Sequence, residues 1–366
     1  MKNNKITYAQ VGDDYDTKDP IKKIAQSSAS KTATNLNKHF FSELIGTRGE
    51  SAYVFKNKNI TLATVIEGLG TKNLVADAIN SSKKSYYDVI GYDTVATIIN
   101  DLVSVGATPL TIHAYWAVED NSWFNNKKRF YDLVKGWKKA CDISGVSWGG
   151  GETPTLKGIM QKDTCELGGS AVGVIKNKII TDRDLKDGDR IILLKSNGIN
   201  ANGLSLAREI AKNLPNGYAT KVTDSQTYGE MLLKKTNIYA DLISSLLDKK
   251  IEIHYISNIT GHGLRKIMRS KRNFTYTIEK IFPKPLLFKF MQEQSGLSDE
   301  EAYGTWNMGQ DYCLILPKKS VALALDTITK HNFQALDAGF ITAGKRQVVL
   351  VQKNVTFSSE TLDLKS

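Results

Sequence analysis

The chain has 366 residues, 41% of them hydrophobic, a length beyond what one core usually serves, so two domains are expected. No run of about 18 apolar residues occurs, and the opening MKNNKITYAQ lacks a signal-peptide core, so the expectation is a cytoplasmic protein without a membrane partner. The net charge of +11 comes from lysines and arginines dispersed over several segments, which suits solvated helix faces and an anionic small-molecule substrate, with no nucleic-acid partner expected.

Residues 1–60 open with polar, turn-rich sequence and are read as an arm with the first elements. The strand-like NITLATVI then runs into VIEGLGTKNL, residues 65–74. There an apolar strand ends on Glu67 and bends through Gly68 and Gly70 into Thr71 and Lys72. Glycine backbone at a strand exit offers N–H groups that can cradle a phosphate, Lys72 adds a point charge, and Glu67 can hold a cation. A plain turn with solvated charges explains the same residues, since a lone glycine-rich match is weak.

Helical periodicity over YYDVIGYDTVATIINDLVSVGATPL puts Val95, Ile98, Ile99 and Leu102 on one stripe and Asp93, Thr97, Asn100, Asp101 and Ser104 on another. The polar stripe reads as a solvated face or, because it holds acids and an amide without Lys or Arg, as an oxygen-ligand face for Mg²⁺. LTIHAYWAV is read as a strand and NNKKRFYDLVKGWKKACDISG as an amphipathic helix stopped by Gly145. GGGET brings Gly150 and Gly151 to a second turn ending on an acid, Glu152. The charged KNKIITDRDLKDGDR marks a boundary near residue 176, dividing a domain over 61–175 from one over 176–366. Cys141, Cys165 and Cys313 stand far apart and are read as packed, reduced residues.

In the second half the strand IILLKS leads into SNGINANGLSLARE, a loop and helix start whose free N–H groups can hold an anion. GEMLLKKTNIYADLISSLL reads as one helix. NITGHGLRKIM repeats the loop-to-helix device, with His262 in the turn as the expected titrating group. Helix caps explain both loops equally well. GTWNMGQDY precedes the strand YCLILP, and the alternation of strands and helices gives an α/β class with mixed sheets in two lobes.

The ordered set GLGTK, YYDVIGYDTVATIINDLVSVGATPL, GGETP, SNGINANGLSLAREI, YGEMLLKKTNIY, NITGHGL and WNMG, preceded by TYAQVGDDYD, resembles the phosphoribosylformylglycinamidine cyclo-ligases, or AIR synthetases. The resemblance implies an N-terminal domain whose strands form a β-barrel with a partner's across a homodimer, and a C-terminal α/β domain over the cleft. It implies ATP-dependent closure of formylglycinamidine ribonucleotide to aminoimidazole ribonucleotide in purine biosynthesis. Phosphorylation of the formyl oxygen makes the carbon a good electrophile, and the protein positions the groups and neutralises charge. ATP and Mg²⁺ are the implied cofactors and a sugar phosphate the implied substrate. By position, Gly68, Gly70, Thr71, Lys72, Asp93, Asn100, Gly150 and Gly151 would bind nucleotide, and Glu67, Asp101 and Glu152 the metal. Asn202, Gly203, Thr260, Gly261, Asn307, Met308 and Gly309 would bind substrate, and Lys72, Asn200 and His262 would serve catalysis.

The departures from the family pattern fall mainly in the substrate half. Asn200 stands where the family has a loop histidine, and an amide is no general base, so His262 is expected to take over that work. Asn258 replaces the histidine before the ITG turn, Ala114 and Thr155 replace acids, Gly304 replaces an arginine, and Glu67 and Glu166 lengthen aspartates. Two alternatives stay open: an ATP-dependent enzyme of the same superfold acting on another substrate, and a nucleotide-binding protein without catalysis.

Overall fold

A computed structural model describes residues 15–81 and 84–362. After a helix at Tyr15–Lys31, the first sheet is built from β1 (Ser42–Glu43), β2 (Tyr53–Lys56), β3 (Thr61–Gly68), β4 (Thr108–Val118), β5 (Ser147–Glu152) and β6 (Cys165–Val174). Their order is β1-β2-β3-β6-β4-β5. β3 runs antiparallel to β6 from Leu62↔Val174 to Gly68↔Gly168, and β4 lies parallel to β5. Alternation along β3 buries Ala63 and Val65 while Ile66 faces outward.

The inner face of this sheet packs on the buried helix Tyr87–Val103, which lies against the helix Lys127–Ser144. Glycine at the crossing lets the two helices approach closely: a Cβ on Gly136 would stand 2.0 Å from the Asp88 carbonyl oxygen. Asn126 caps the second helix by accepting from Arg129 N, and Gly145 ends it in the left-handed region. The outer face leaves Ile66, Leu110 and Tyr115 exposed by 79%, 45% and 42%.

The second sheet comprises β7 (Arg190–Lys195), β8 (Tyr255–Asn258), β9 (Phe274–Ile278), β10 (Gln310–Leu316), β11 (Ala335–Ala343), β12 (Gln347–Leu350) and β13 (Val355–Ser358). They are ordered β13-β12-β9-β11-β7-β10-β8. The apolar runs of β7 and β10 are buried without alternation, as strands covered on both faces require. Among the described residues no helix is long and apolar enough to cross a membrane, and Cys141, Cys165 and Cys313 are free and buried.

Residues 1–14 of the expected arm lie outside the described residues, and further along the same segment β1 and β2 pair into the first sheet as its first elements. One expectation changes. The single helix expected over GEMLLKKTNIYADLISSLL is two, Tyr228–Leu232 and Ala240–Asp248, separated by an irregular segment at 233–239. That segment needs partners for its backbone groups, and the first domain supplies them.

Candidate active site

The exit of β3 meets the second domain. Gly70 has φ +71, and a Cβ there would lie 3.9 Å from the Ala201 carbonyl oxygen, so the glycine turn faces the loop at 196–203. Gly70, Thr71 and Asn73 share with Arg208 of the second domain a depression of about 390 Å³. The Thr71 hydroxyl is buried there without a hydrogen-bond partner among the described residues.

Lys72 points elsewhere. Its ammonium is fully buried, ion-paired with Asp93 and donating to the Lys234 carbonyl at 3.0 Å. The other oxygen of Asp93 accepts from Thr236 N at 2.8 Å. Asn100 donates through Nδ2 to the Asn237 carbonyl at 2.8 Å and accepts from Tyr239 N at 3.0 Å. In this structure Lys72, Asp93 and Asn100 thus serve a domain joint rather than an open nucleotide cradle. Its side chains satisfy the backbone of the non-helical segment, which would otherwise be buried without partners.

Asp101, further along the same stripe, meets Glu67 at the end of β3, and Asn258 Nδ2 donates to Asp101 at 2.7 Å. Burial, then the Asp101 carboxylate beside it, pushes the Glu67 carboxyl up to about 8. The nearby positive charges of Lys266 and Arg269 oppose that rise. Mg²⁺ usually takes one or two protein carboxylates and completes its shell with water and phosphate oxygens. Glu67 and Asp101 would offer such an ion two neighbouring carboxylates.

Glu152 does not join the pair. It is exposed on the edge strand β5, and among the described residues no three His, Cys, Asp or Glu side chains converge on a metal position. Gly151 and Glu152 instead line, with Gly68, His113 and Tyr115, a depression of about 520 Å³ beside the exposed Ile66. Gly150 lies next to them on β5, where its carbonyl accepts from Trp148 Nε1 at 2.9 Å.

On the other side of the joint, Asn200 donates through Nδ2 to Asp311, whose second oxygen accepts from the Tyr239 hydroxyl at 2.7 Å. Sequence reading missed Asp311; a lone acid at the start of the strand QDYCLIL, directly before the run Tyr312–Leu316, is the signal that points to it. Burial pushes its carboxyl up to about 6, opposed by hydrogen bonds from Tyr239, Asn200 and Asn237.

Gly203, with φ +79, opens the helix Leu204–Asn213 directly beneath Trp306. Asn202 next to it is partly exposed, as are Thr260 and Gly261. Thr260 accepts from Lys266 Nζ at 2.9 Å. Asn307, Met308 and Gly309 face away from open space. Asn307 donates to the Gly198 carbonyl at 2.9 Å and accepts from Gly309 N at 2.9 Å, while Met308 is fully buried. In this structure they brace the loop at 196–203 from behind, through Asn307 and Gly309.

His262 also differs from expectation. It caps the short helix Gly263–Met268 in a left-handed conformation and is buried. Burial first, then the positive charges of Lys266, Arg265 and Lys22, push the imidazole down to about 2. That shift favours the neutral imidazole at physiological pH, where the sequence pointed to a group titrating near neutrality.

The shift has a consequence for stability. An unfolded imidazole titrates near 6.5, so the His262 contribution is complete above that pH and is lost as pH falls towards the folded value of about 2. Below pH 6.5 this group should cost the native protein up to about 1.4 kcal/mol per pH unit. His262→Gly, which suits the backbone angle, should lose stability less steeply with acid in urea unfolding. Parallel curves for the two proteins would mean that His262 titrates normally when folded.

Family models described as AIR synthase related protein, N-terminal domain, and AIR synthase related protein, C-terminal domain, match residues 49–175 and 186–352. A phosphoribosylformylglycinamidine cyclo-ligase of Carboxydothermus hydrogenoformans is 34% identical over 356 residues, covering 94% of this chain and 98% of that protein. One of Pyrococcus furiosus is 30% identical over 351 residues, covering 95% and 98%. Among solved structures, the hydrogenase maturation protein HypE in complex with ATP superposes with a TM-score of 0.60 at 16% identity, over 82% of this chain and 85% of that one. AaThiL complexed with AMPPCP and TMP superposes with a TM-score of 0.57 at 13% identity, over 84% and 89%. At such identities the likeness to these structures shows a shared fold. The two domain models, matched in order, and relatives aligned over nearly their whole length place the chain in the AIR synthase-related family, alongside the phosphoribosylformylglycinamidine cyclo-ligases.

Proposed function

We propose that this protein is an ATP-dependent cyclo-ligase that closes formylglycinamidine ribonucleotide to aminoimidazole ribonucleotide in the cytoplasm. The observation that carries the reading is the contact of two motif pairs across the domain joint, Gly70 against Ala201 and Asp101 with Asn258. They belong to a chain that aligns with a cyclo-ligase over 94% of its length.

The reaction needs a formyl oxygen turned into a leaving group and a nitrogen held against the activated carbon. The glycine turn and the Thr71 hydroxyl supply donors for nucleotide phosphates, and Arg208 brings positive charge to the same depression. Glu67 and Asp101 would hold Mg²⁺, which neutralises phosphate charge when bound. Asn200, Asn202, Gly203, Thr260 and Gly261 present the other wall to the ribonucleotide. Lys72, Asp93 and Asn100 keep the two walls in register. With His262 neutral and an amide at position 200, positioning and charge neutralisation carry the rate.

The same reading seats a second copy of the chain on the uncovered face of the first sheet. Ile66, Leu110 and Tyr115 stand out there as large exposed apolar side chains.

The test is a coupled assay for ADP on purified protein with Mg²⁺, ATP and formylglycinamidine ribonucleotide, alongside detection of aminoimidazole ribonucleotide through its diazotisable amine. Equal amounts of the two products are expected. ADP released without the amine would mean another acceptor substrate. ATP binding with neither product would mean a nucleotide-binding protein that no longer catalyses.

A further inference from the structure

Asp311 has contacts that define a task. It is 1% exposed in β10 and accepts three hydrogen bonds, from Asn200 Nδ2, from the Tyr239 hydroxyl at 2.7 Å and from Asn237 Nδ2 at 3.3 Å. An ionised carboxylate can only accept, so it decides which end of the Asn200 amide faces it. Nδ2 turns to Asp311 and Oδ1 turns away.

Asn200 is itself 5% exposed, and its Oδ1 is buried without a donor from the described residues. Leaving such an oxygen unpaired is costly, and a ligand donor would recover that cost. Two further buried oxygens without partners among the described residues, Thr71 Oγ1 and Thr236 Oγ1, lie on the segments that meet this loop at the joint. Gly70, next to Thr71, stands against Ala201. Asn237, next to Thr236, shares the Asp311 carboxylate with Asn200.

We propose that Asp311 is a positioning residue that locks Asn200 with its amide oxygen presented as an acceptor for an N–H donor on the ribonucleotide substrate. The identity of that substrate rests on the cyclo-ligase reading, in which the amidine nitrogens are the donors. Fixed recognition then stands at this loop position where a titrating side chain would otherwise act. An oxygen that takes no proton near neutrality selects a donor-bearing group and orients it. A site built this way discriminates strongly against an analogue lacking the N–H.

Asp311→Asn keeps the volume and removes the one-way preference, because two facing amides hydrogen-bond with either one flipped. The expected result is a KM for the ribonucleotide raised at least about ten-fold, equivalent to about 1.4 kcal/mol, with KM for ATP and the melting temperature close to wild type. Exchanging the pair, Asn200→Asp together with Asp311→Asn, turns an oxygen to the ligand again and should bring KM back. Adding Asp311→Asn to Asn200→Ala should cost nothing further, since both act through one oxygen.

A wild-type ribonucleotide KM in Asp311→Asn, or an equal rise in KM for ATP, overturns the inference while wild-type turnover preserves the cyclo-ligase reading. Wild-type protein that binds ATP and forms no aminoimidazole ribonucleotide removes that reading, and the inference falls with it. If Asp311→Asn does not fold, Asn200→Ala carries the test alone: an unchanged ribonucleotide KM sinks the proposal.

Discussion

Lys72→Ala should loosen the domain joint before it weakens any nucleotide contact. Lys72 and Asp93 are both fully buried, and removing one partner of such a pair leaves a charge without compensation, at a cost of about 3–5 kcal/mol. The Lys234 carbonyl loses its donor as well. Against a typical total of about 5–15 kcal/mol, this is a large share of the fold's stability. Lys72→Met combined with Asp93→Asn should recover much of the loss, because it removes both charges and keeps an oxygen for Thr236 N. Urea unfolding of the three proteins measures both effects. A Lys72→Ala protein with wild-type stability and weakened ATP binding would contradict the joint and return the ammonium to the phosphate cradle.

That reversal shows what sequence reading could and could not deliver. Periodicity placed Asp93, Asn100 and Asp101 along one polar stripe, because spacing alone fixes which side chains share a helix face. What the stripe faces depends on a segment more than a hundred positions away in the chain. Residues 233–239 break a helix without Gly or Pro to announce it, and their unpaired backbone groups claim Lys72, Asp93 and Asn100. Asp101 escapes that fate because it meets Glu67 and Asn258 instead.

His262 misled for a related reason. Glycines on both sides suggest an open loop, yet a Cβ on Gly263 would stand 2.2 Å from the Tyr303 carbonyl oxygen. The glycine there serves close packing rather than mobility. By contrast, the helix Lys127–Ser144 and its C-terminal end were legible, since the apolar stripe and the Gly145 stop are local signals.

Gly203→Ala should have the largest effect on the substrate side. The residue sits at φ +79, and an added Cβ would lie 2.3 Å from the Trp306 ring. Trp306 is 1% exposed and packs near Phe288 at 6.4 Å between ring centroids, so the indole has little room to yield. The left-handed angle costs a side-chain-bearing residue about 1–2 kcal/mol, and overpacking typically adds about 1–3 kcal/mol. The easier relief is for the loop to move, which carries Asn200 and Asn202 with it. A displacement of about 1 Å at a positioning group can cost on the order of 100-fold in rate. The expected result is a kcat/KM for the ribonucleotide lowered by about that factor, with KM for ATP much less affected. Trp306→Phe should relieve part of the clash, so the double variant should lose less than the two single losses combined. If Gly203→Ala keeps a wild-type kcat/KM, the loop at 196–203 does not shape the substrate wall, and Asn200 and Asn202 lose their assigned places.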